Sequence, residues 1–143
     1  MASLLVPLAA CTEEMEESYS TWADAQRVGA IERGWVPAFV PKSARNIRDI
    51  HNLDTNAQIL EFTAPRSDVP VMVRGLRAIP AEDMMAAAKL SKELGLKSVS
   101  QGVEAYVVCA EPLDGVLLVD RQSGRTVYKT PVDWAENNCS SAA

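Results

Sequence analysis

Potential chemistry in this sequence centres on His51, the only histidine and the one side chain whose unperturbed pKa lies near neutral pH. Asp49 stands two residues earlier, so the two side chains share one face if this stretch is a β-strand. A carboxylate that orients an imidazole can create a general base. Ser43 is a candidate nucleophile in the same stretch, but it lacks the G-x-S-x-G setting of activated serines. We therefore carry His51 and Asp49 as candidates and assign no catalytic residue from sequence.

Two other interpretations of these residues stay open. In the structural one, which we favour, His51 and Asp54 hydrogen-bond to backbone in a hairpin turn formed by Asp54, Thr55 and Asn56. In the other, His51, Asp49 and Asp54 ligate a metal ion. The sequence has neither an EF-hand loop nor an H-E-x-x-H motif, so we expect no metal and no cofactor.

Three cysteines bear on redox chemistry and on location. Cys109 and Cys139 could form a disulfide in an oxidising compartment, closing a loop of about 30 residues. The equally weighted alternative is a buried thiol at Cys109, inside an apolar run, and a free thiol at Cys139 in the tail.

Cys11 lies in a targeting motif. Leu8, Ala9, Ala10 and Cys11 resemble the Leu-small-small-Cys box at the end of a bacterial lipoprotein signal peptide, where the cysteine is lipidated. Ten residues precede Cys11 and none is Lys or Arg, so the true start would lie upstream of Met1. The alternative is an apolar tail without a targeting role, on a cytoplasmic protein.

The N-terminal half predicts a helix followed by a hairpin. Apolar residues at helical spacing and the glycine at position 34 predict a helix over 20–33. Two prolines make 35–40 an edge strand or an irregular extended segment. The stretches 46–53 and 58–64 alternate like paired strands around the turn at 54–56.

The C-terminal half predicts two helices, over 65–76 and 79–94, then a strand over 103–110 and a hairpin of 116–120 with 125–130. This order indicates an α+β fold in which an antiparallel sheet of about four to five strands has helices packed on one face. We expect a partial signal segment at 1–10, an acidic tether at 11–18, one α+β domain at 19–136 and a tail at 137–143.

The stretch from Arg33 to Phe62 resembles a poorly characterised set of small bacterial proteins, many of them predicted lipoproteins. That set shares the pattern R-G-W-[IV]-P-x-[FL]-[LV]-P-x-S-A-x-x-I-x-x-x-H-x-L-D-T-N, followed by a strand ending in Phe. The matching residues are Arg33, Gly34, Trp35, Val36, Pro37, Phe39, Val40, Pro41, Ser43, Ala44, Ile47, His51, Leu53, Asp54, Thr55, Asn56 and Phe62. The resemblance implies an envelope location and implies no particular reaction.

Composition narrows the range of functions that the protein could have. The net charge of −5, from 19 acidic and 14 basic side chains, disfavours nucleic-acid binding. We expect a cell-envelope lipoprotein that faces the periplasm, is anchored in the membrane by lipid on Cys11, and acts as a non-catalytic binding or structural module for an unidentified envelope protein or ligand. Alternatives are an immunity or inhibitor protein against an envelope-active enzyme, and a small hydrolase with a site at His51 and Asp49.

Overall fold

The computed structural model describes residues 13–110 and 113–140, and its centre is one antiparallel sheet of seven strands. The order across the sheet is β1-β2-β3-β7-β6-β5-β4. The strands are β1 Glu14–Thr21, β2 Arg45–Asn52, β3 Gln58–Thr63, β4 Arg77–Ala78, β5 Val103–Val108, β6 Gly115–Asp120 and β7 Arg125–Thr130. The two predicted hairpins, β2 with β3 and β6 with β7, are confirmed.

Four short helices accompany the sheet, and none of the helices in the described ranges is long and apolar enough to cross a membrane. They are α1 Trp22–Arg27, α2 Val69–Met72, α3 Met84–Glu93 and α4 Asp133–Ser140. Single 3-10 turns at Ala81–Asp83 and Val99–Gln101 flank α3.

Both faces of the sheet are covered, because the side chains of the fully buried strand β6 alternate between two cores. Leu117 and Val119 join the core that α1, α2 and the loop after α1 cover. Val116 and Leu118 join the opposite core, beneath α3 and α4. The expectation of four to five strands with helices on one face is therefore wrong.

Strand β1 accounts for part of that difference, because the segment predicted as an acidic tether pairs along β2. Of its eight side chains only Tyr19 is buried, and its glutamates stay exposed or half-buried. An edge strand needs one apolar anchor and can carry charges elsewhere. Residues from Glu14 onward thus belong to the sheet, whereas the proposed signal segment at 1–10 and Cys11 lie outside the described residues.

The first helix is shorter than 20–33 because the chain leaves it at the first available glycine. Gly29 has φ +80°, its N–H donates to the Gln26 carbonyl, and the Ala30 N–H donates to the Ala25 carbonyl. This hydrogen-bond pattern is a Schellman ending. One further turn follows and closes at Gly34, with φ +79°, so residues 35–40 form an irregular segment, and β1 and β4 are the sheet edges.

The structure also differs from the prediction in the segment after β3 and at the C-terminal end. The helix expected over 65–76 is reduced to the four residues of α2. The tail expected at 137–143 continues α4 as far as Ser140, and a disulfide joins Cys139 to Cys109 at the end of β5.

Candidate functional site

A buried Asp–His pair lies on β2. Asp49 has no solvent-exposed surface and His51 is 5% exposed. Asp49 Oδ2 lies 2.6 Å from His51 Nδ1. The i, i+2 spacing on a strand brings the two side chains to one face, as the sequence predicts. The backbone hydrogen bonds expected for His51 are replaced by this contact with a carboxylate.

Gln58 on β3 holds the other oxygen of the carboxylate. Its Nε2 donates to Asp49 Oδ1 and to the Trp35 carbonyl oxygen, each at 2.6 Å. A carbonyl oxygen only accepts, so the contact with Trp35 fixes which end of the Gln58 amide faces inward. Asp49 Oδ1 is therefore an acceptor, and a proton carried by this carboxyl group would lie on Oδ2, against His51.

The loop after α1 places an aromatic ring on the histidine. The backbone N–H of Trp35 donates to the Ala30 carbonyl across the turn that Gly34 closes. The indole then packs on the imidazole with ring centroids 4.0 Å apart. The Arg33 guanidinium carbon lies 4.2 Å from the same indole centroid, which is cation–π distance.

His51 lines a cleft of about 580 Å³ between this loop, the β2–β3 turn and the ends of β5 and β7. Its aromatic residues include Phe39 and Tyr128, which meet edge to face with centroids 5.1 Å apart. The lining residues are Arg33, Gly34, Trp35, Pro37, Ala38, Phe39, His51, Asn52, Leu53, Asn56, Gln58, Val108, Cys109, Ala110, Leu113, Tyr128 and Thr130.

One polar atom of His51, a residue that lines the cleft, is buried without a partner. Among the described residues, His51 Nε2 makes no hydrogen bond. A buried polar atom left unsatisfied costs about 1–3 kcal/mol. On a side chain that lines a cleft, such an atom is a candidate point at which a ligand supplies the missing bond.

Burial dominates the electrostatics of the pair. It raises the pKa of Asp49, although the hydrogen bonds from Gln58 and His51 act in the opposite direction. Glu17 on β1 adds to the rise through its charge. Tyr19 donates a hydrogen bond to Glu17. The pKa of the Tyr19 phenol is raised mainly by burial and secondly by this hydrogen bond.

The other sequence candidates lie apart from the pair. Ser43 donates to Asp68 and does not line the cleft. Asp54 is exposed in the hairpin turn, where the Asn52 side chain accepts from the backbone of residues 54 and 55, so the three-residue metal set with His51 and Asp49 does not assemble.

A different cluster brings Cys109, Asp114 and Cys139 within 4.8 Å of one another. The two sulfurs are bonded to each other, so neither is available as a thiolate ligand.

Sequence reasoning missed Gln58 and Arg33. Gln58 could have been found from the hairpin register. If the two strands pair symmetrically about the turn, Gln58 lies opposite His51. Arg33 was assigned to a helix, whereas it lies in the turn after α1 with its guanidinium over the Trp35 ring.

The fold and the site together define a small α+β protein with a buried Asp–His pair beside an aromatic cleft. Residues 13–63 match the family model of the YbbD head domain. This segment includes β1, α1, the loop with Trp35 and the β2–β3 hairpin, and hence Asp49, His51 and Gln58. No curated protein and no solved structure matches the chain.

Proposed function

We propose that this protein is a non-catalytic binding module whose cleft beside His51 holds a small organic ligand. The observation that carries the proposal is the buried, unpartnered Nε2 of His51, a residue that lines the cleft. Small-molecule sites are typically apolar clefts of about 300–1,000 Å³ with a few placed polar groups. The cleft, at about 580 Å³, lies in that range.

The Thr130 hydroxyl and the Cys109 sulfur at the cleft favour binding over catalysis. Covalent catalysis needs a nucleophile within hydrogen-bond reach of a base. Thr130 lines the cleft, but its hydroxyl donates toward the carbonyl oxygens of Leu113 and Asp114. Cys109 also lines the cleft, with its sulfur in the disulfide.

The cell envelope remains our proposed location, with lipid on Cys11 as the anchor. The Leu-small-small-Cys box supports the anchor. The Cys109–Cys139 bond supports an oxidising compartment, where disulfides persist. Incorporation of labelled palmitate that is lost in Cys11→Ser would support this location, while equal labelling of both proteins would argue against it.

Cleft binding is tested with a matched pair of alanine substitutions. Ala38 is exposed and lines the cleft, whereas Ala78 is exposed on β4 and does not. Thermal unfolding is followed with phenylacetate, phenylacetamide or N-acetylglucosamine present. A ligand at tenfold its Kd stabilises by about 1.4 kcal/mol, which is a rise of a few degrees in Tm.

We expect at least one of these probes to raise the Tm of the wild type and of Ala78→Trp. Ala38→Trp fills the cleft and removes that rise. Identical shifts in the two variants, or no shift with any probe, would contradict the proposal.

The Asp–His pair supports one second candidate, a hydrolase in which His51 activates water as a general base. General bases contribute about 10²–10⁴-fold to rates. Hydrolysis of p-nitrophenyl acetate that falls by about 100-fold in His51→Gln would favour this candidate. A rate equal in both proteins would leave the binding module as the better account.

A further inference from the structure

We propose that the cleft recognises organic carboxylates with an aromatic or other apolar body, with His51 Nε2–H donating to the carboxylate and Arg33 adding positive charge at the rim. The inference rests on the proposed function and specifies its ligand class. It follows from counting protons on the buried pair and charges along the cleft.

The contact of Gln58 with Trp35 sets where a proton can be. Because the Gln58 amide donates to both the Trp35 carbonyl and Asp49 Oδ1, only Oδ2 of the carboxyl group is left to carry a proton. Oδ2 faces His51 Nδ1 at 2.6 Å, so one proton lies between these two atoms.

The buried pair then has two arrangements with no net charge. In the first, the Asp49 carboxylate faces an imidazolium, whose two nitrogens both carry hydrogen. In the second, a protonated Asp49 donates to Nδ1 of a neutral imidazole, whose hydrogen is then on Nε2. Both arrangements make Nε2 a hydrogen-bond donor.

Only the arrangement with a net charge of −1 leaves Nε2 as a bare acceptor. It requires an ionised Asp49 beside a neutral imidazole at a position without solvent exposure. An uncompensated buried charge is strongly disfavoured. Glu17 on the neighbouring strand makes a further negative charge less favourable. The unpartnered Nε2 is therefore a donor over the pH range in which the pair stays neutral, and it requires an acceptor.

Charge along the cleft favours an anionic acceptor. Arg33 is the one charged side chain among the described residues that line it, in a protein with a net charge of −5. The guanidinium makes one hydrogen bond to the Val28 carbonyl and lies 3.9 Å from Glu17, which leaves donors for a ligand. Within residues 13–110 and 113–140, the charged and titratable groups that act on the pair or line its cleft include Asp49 on β2, Glu17 and Tyr19 on β1, Arg33 in the loop after α1, and Tyr128 on β7.

The apolar body of the ligand would lie against the aromatic side of the cleft. Phe39, Tyr128 and Trp35 provide ring surface, and Leu53, Val108 and Leu113 add aliphatic contacts. Aromatic rings prefer offset or edge-to-face partners at centroid distances of about 4.5–7 Å, which suits the ring of an arylalkanoate.

The replacement Asp49→Asn tests whether the pair controls the hydrogen on Nε2 or has only a structural role. Gln58 requires an acceptor at the Oδ1 position, so the new amide places its oxygen there and its NH2 group toward His51 Nδ1. The amide then donates to Nδ1 and keeps the hydrogen on Nε2 at every pH. Binding of a carboxylate to this variant should become independent of pH.

The test compares phenylacetate with the neutral phenylacetamide by calorimetric titration at about pH 6 and about pH 9, a range that spans the ordinary histidine pKa. At the lower pH, we expect wild type to bind the carboxylate about tenfold or more tighter than the amide, as for a charge-assisted bond. The carboxylate affinity of wild type is expected to be about tenfold lower at the higher pH, since Nε2 can donate to the ligand only while it carries hydrogen.

Asp49→Asn is expected to keep the carboxylate affinity at both pH values. Asp54→Asn, the same change at an exposed position in the adjoining turn, is expected to keep the pH dependence of wild type. Arg33→Gln should weaken phenylacetate and leave phenylacetamide unchanged, whereas Arg27→Gln, on an exposed arginine outside the cleft, should alter neither.

Equal affinity of wild type for the acid and the amide would overturn the inference, and this comparison needs no variant to fold. The same pH slope in Asp49→Asn as in wild type would overturn it as well. Binding of phenylacetamide without phenylacetate would refute the carboxylate class and leave cleft binding intact. Absence of binding by both would overturn the inference, and absence of a Tm shift with N-acetylglucosamine as well would refute the proposed function itself.

Discussion

Gln58 donates to Asp49 Oδ1 from the same amide nitrogen that donates to the Trp35 carbonyl oxygen. One side chain on β3 thus fixes the buried carboxylate on β2 and the loop that covers His51. Replacing it should therefore disturb the pair and the cleft together.

Gln58→Glu is expected to lower the free energy of unfolding by about 2–4 kcal/mol at neutral pH, since it removes both donors and sets a second carboxylate against Asp49. The loss should shrink as the pH falls, because protonation relieves the repulsion. Urea denaturation at several pH values checks this, with the exposed Gln122→Glu as the control. A loss that is the same at every pH would contradict the account.

The raised pKa of Asp49 makes stability depend on pH. A native pKa above the unfolded value of about 3.9 gives a contribution that is complete below that value and is lost as pH rises through the native pKa. Asp49→Asn lacks this contribution. The stability of the variant relative to wild type should therefore increase from acid to neutral pH, as measured by urea denaturation. A constant difference would mean that burial does not raise this pKa.

Removal of the Cys109–Cys139 bond should destabilise the protein by about 3–4 kcal/mol, because the bond closes a loop of 30 residues in sequence. The double substitution Cys109→Ser with Cys139→Ser avoids leaving one free thiol. Thermal unfolding measures the loss, and mass spectrometry without reductant detects the bond in wild type. Stability unchanged by the double substitution would contradict the prediction.

Two glycines with similar backbone angles should respond differently to alanine. Gly124 has φ +76°, and a Cβ there would meet the Ala64 carbonyl oxygen at 2.0 Å. Gly34 has φ +79° and open space around it. Gly124→Ala should cost at least about 3 kcal/mol, and Gly34→Ala about 1 kcal/mol. Equal costs in chemical denaturation would show that contact with Ala64 adds nothing to backbone strain.

The sequence predicted elements whose apolar pattern is local and regular. The β2–β3 and β6–β7 hairpins follow from alternation and turn residues, and α3 follows from helical spacing. Strand β1 was missed because an edge strand rich in glutamate has the composition of a solvated tether, and its pairing with β2 is not visible in the local sequence.

The site was predicted only in part, for a related reason. Asp49 and His51 share a strand, so their spacing was sufficient to associate them. Gln58, Trp35 and Arg33 reach the pair through strand register and through a loop whose course depends on where α1 ends. Either Gly29 or Gly34 could have ended the helix, and the spacing of apolar residues did not show which one does.

The protonation of His51 Nε2 and its contact with a ligand carboxylate can be tested directly by nuclear magnetic resonance. The chain has a single histidine, so long-range proton–nitrogen correlation of the untagged protein reports this ring without ambiguity. At about pH 6, near the ordinary pKa of an imidazole, we predict a protonated Nε2 that shifts when phenylacetate is added and stays in place with phenylacetamide. A bare Nε2 at that pH, or a protonated one that phenylacetate leaves unchanged, would contradict the account.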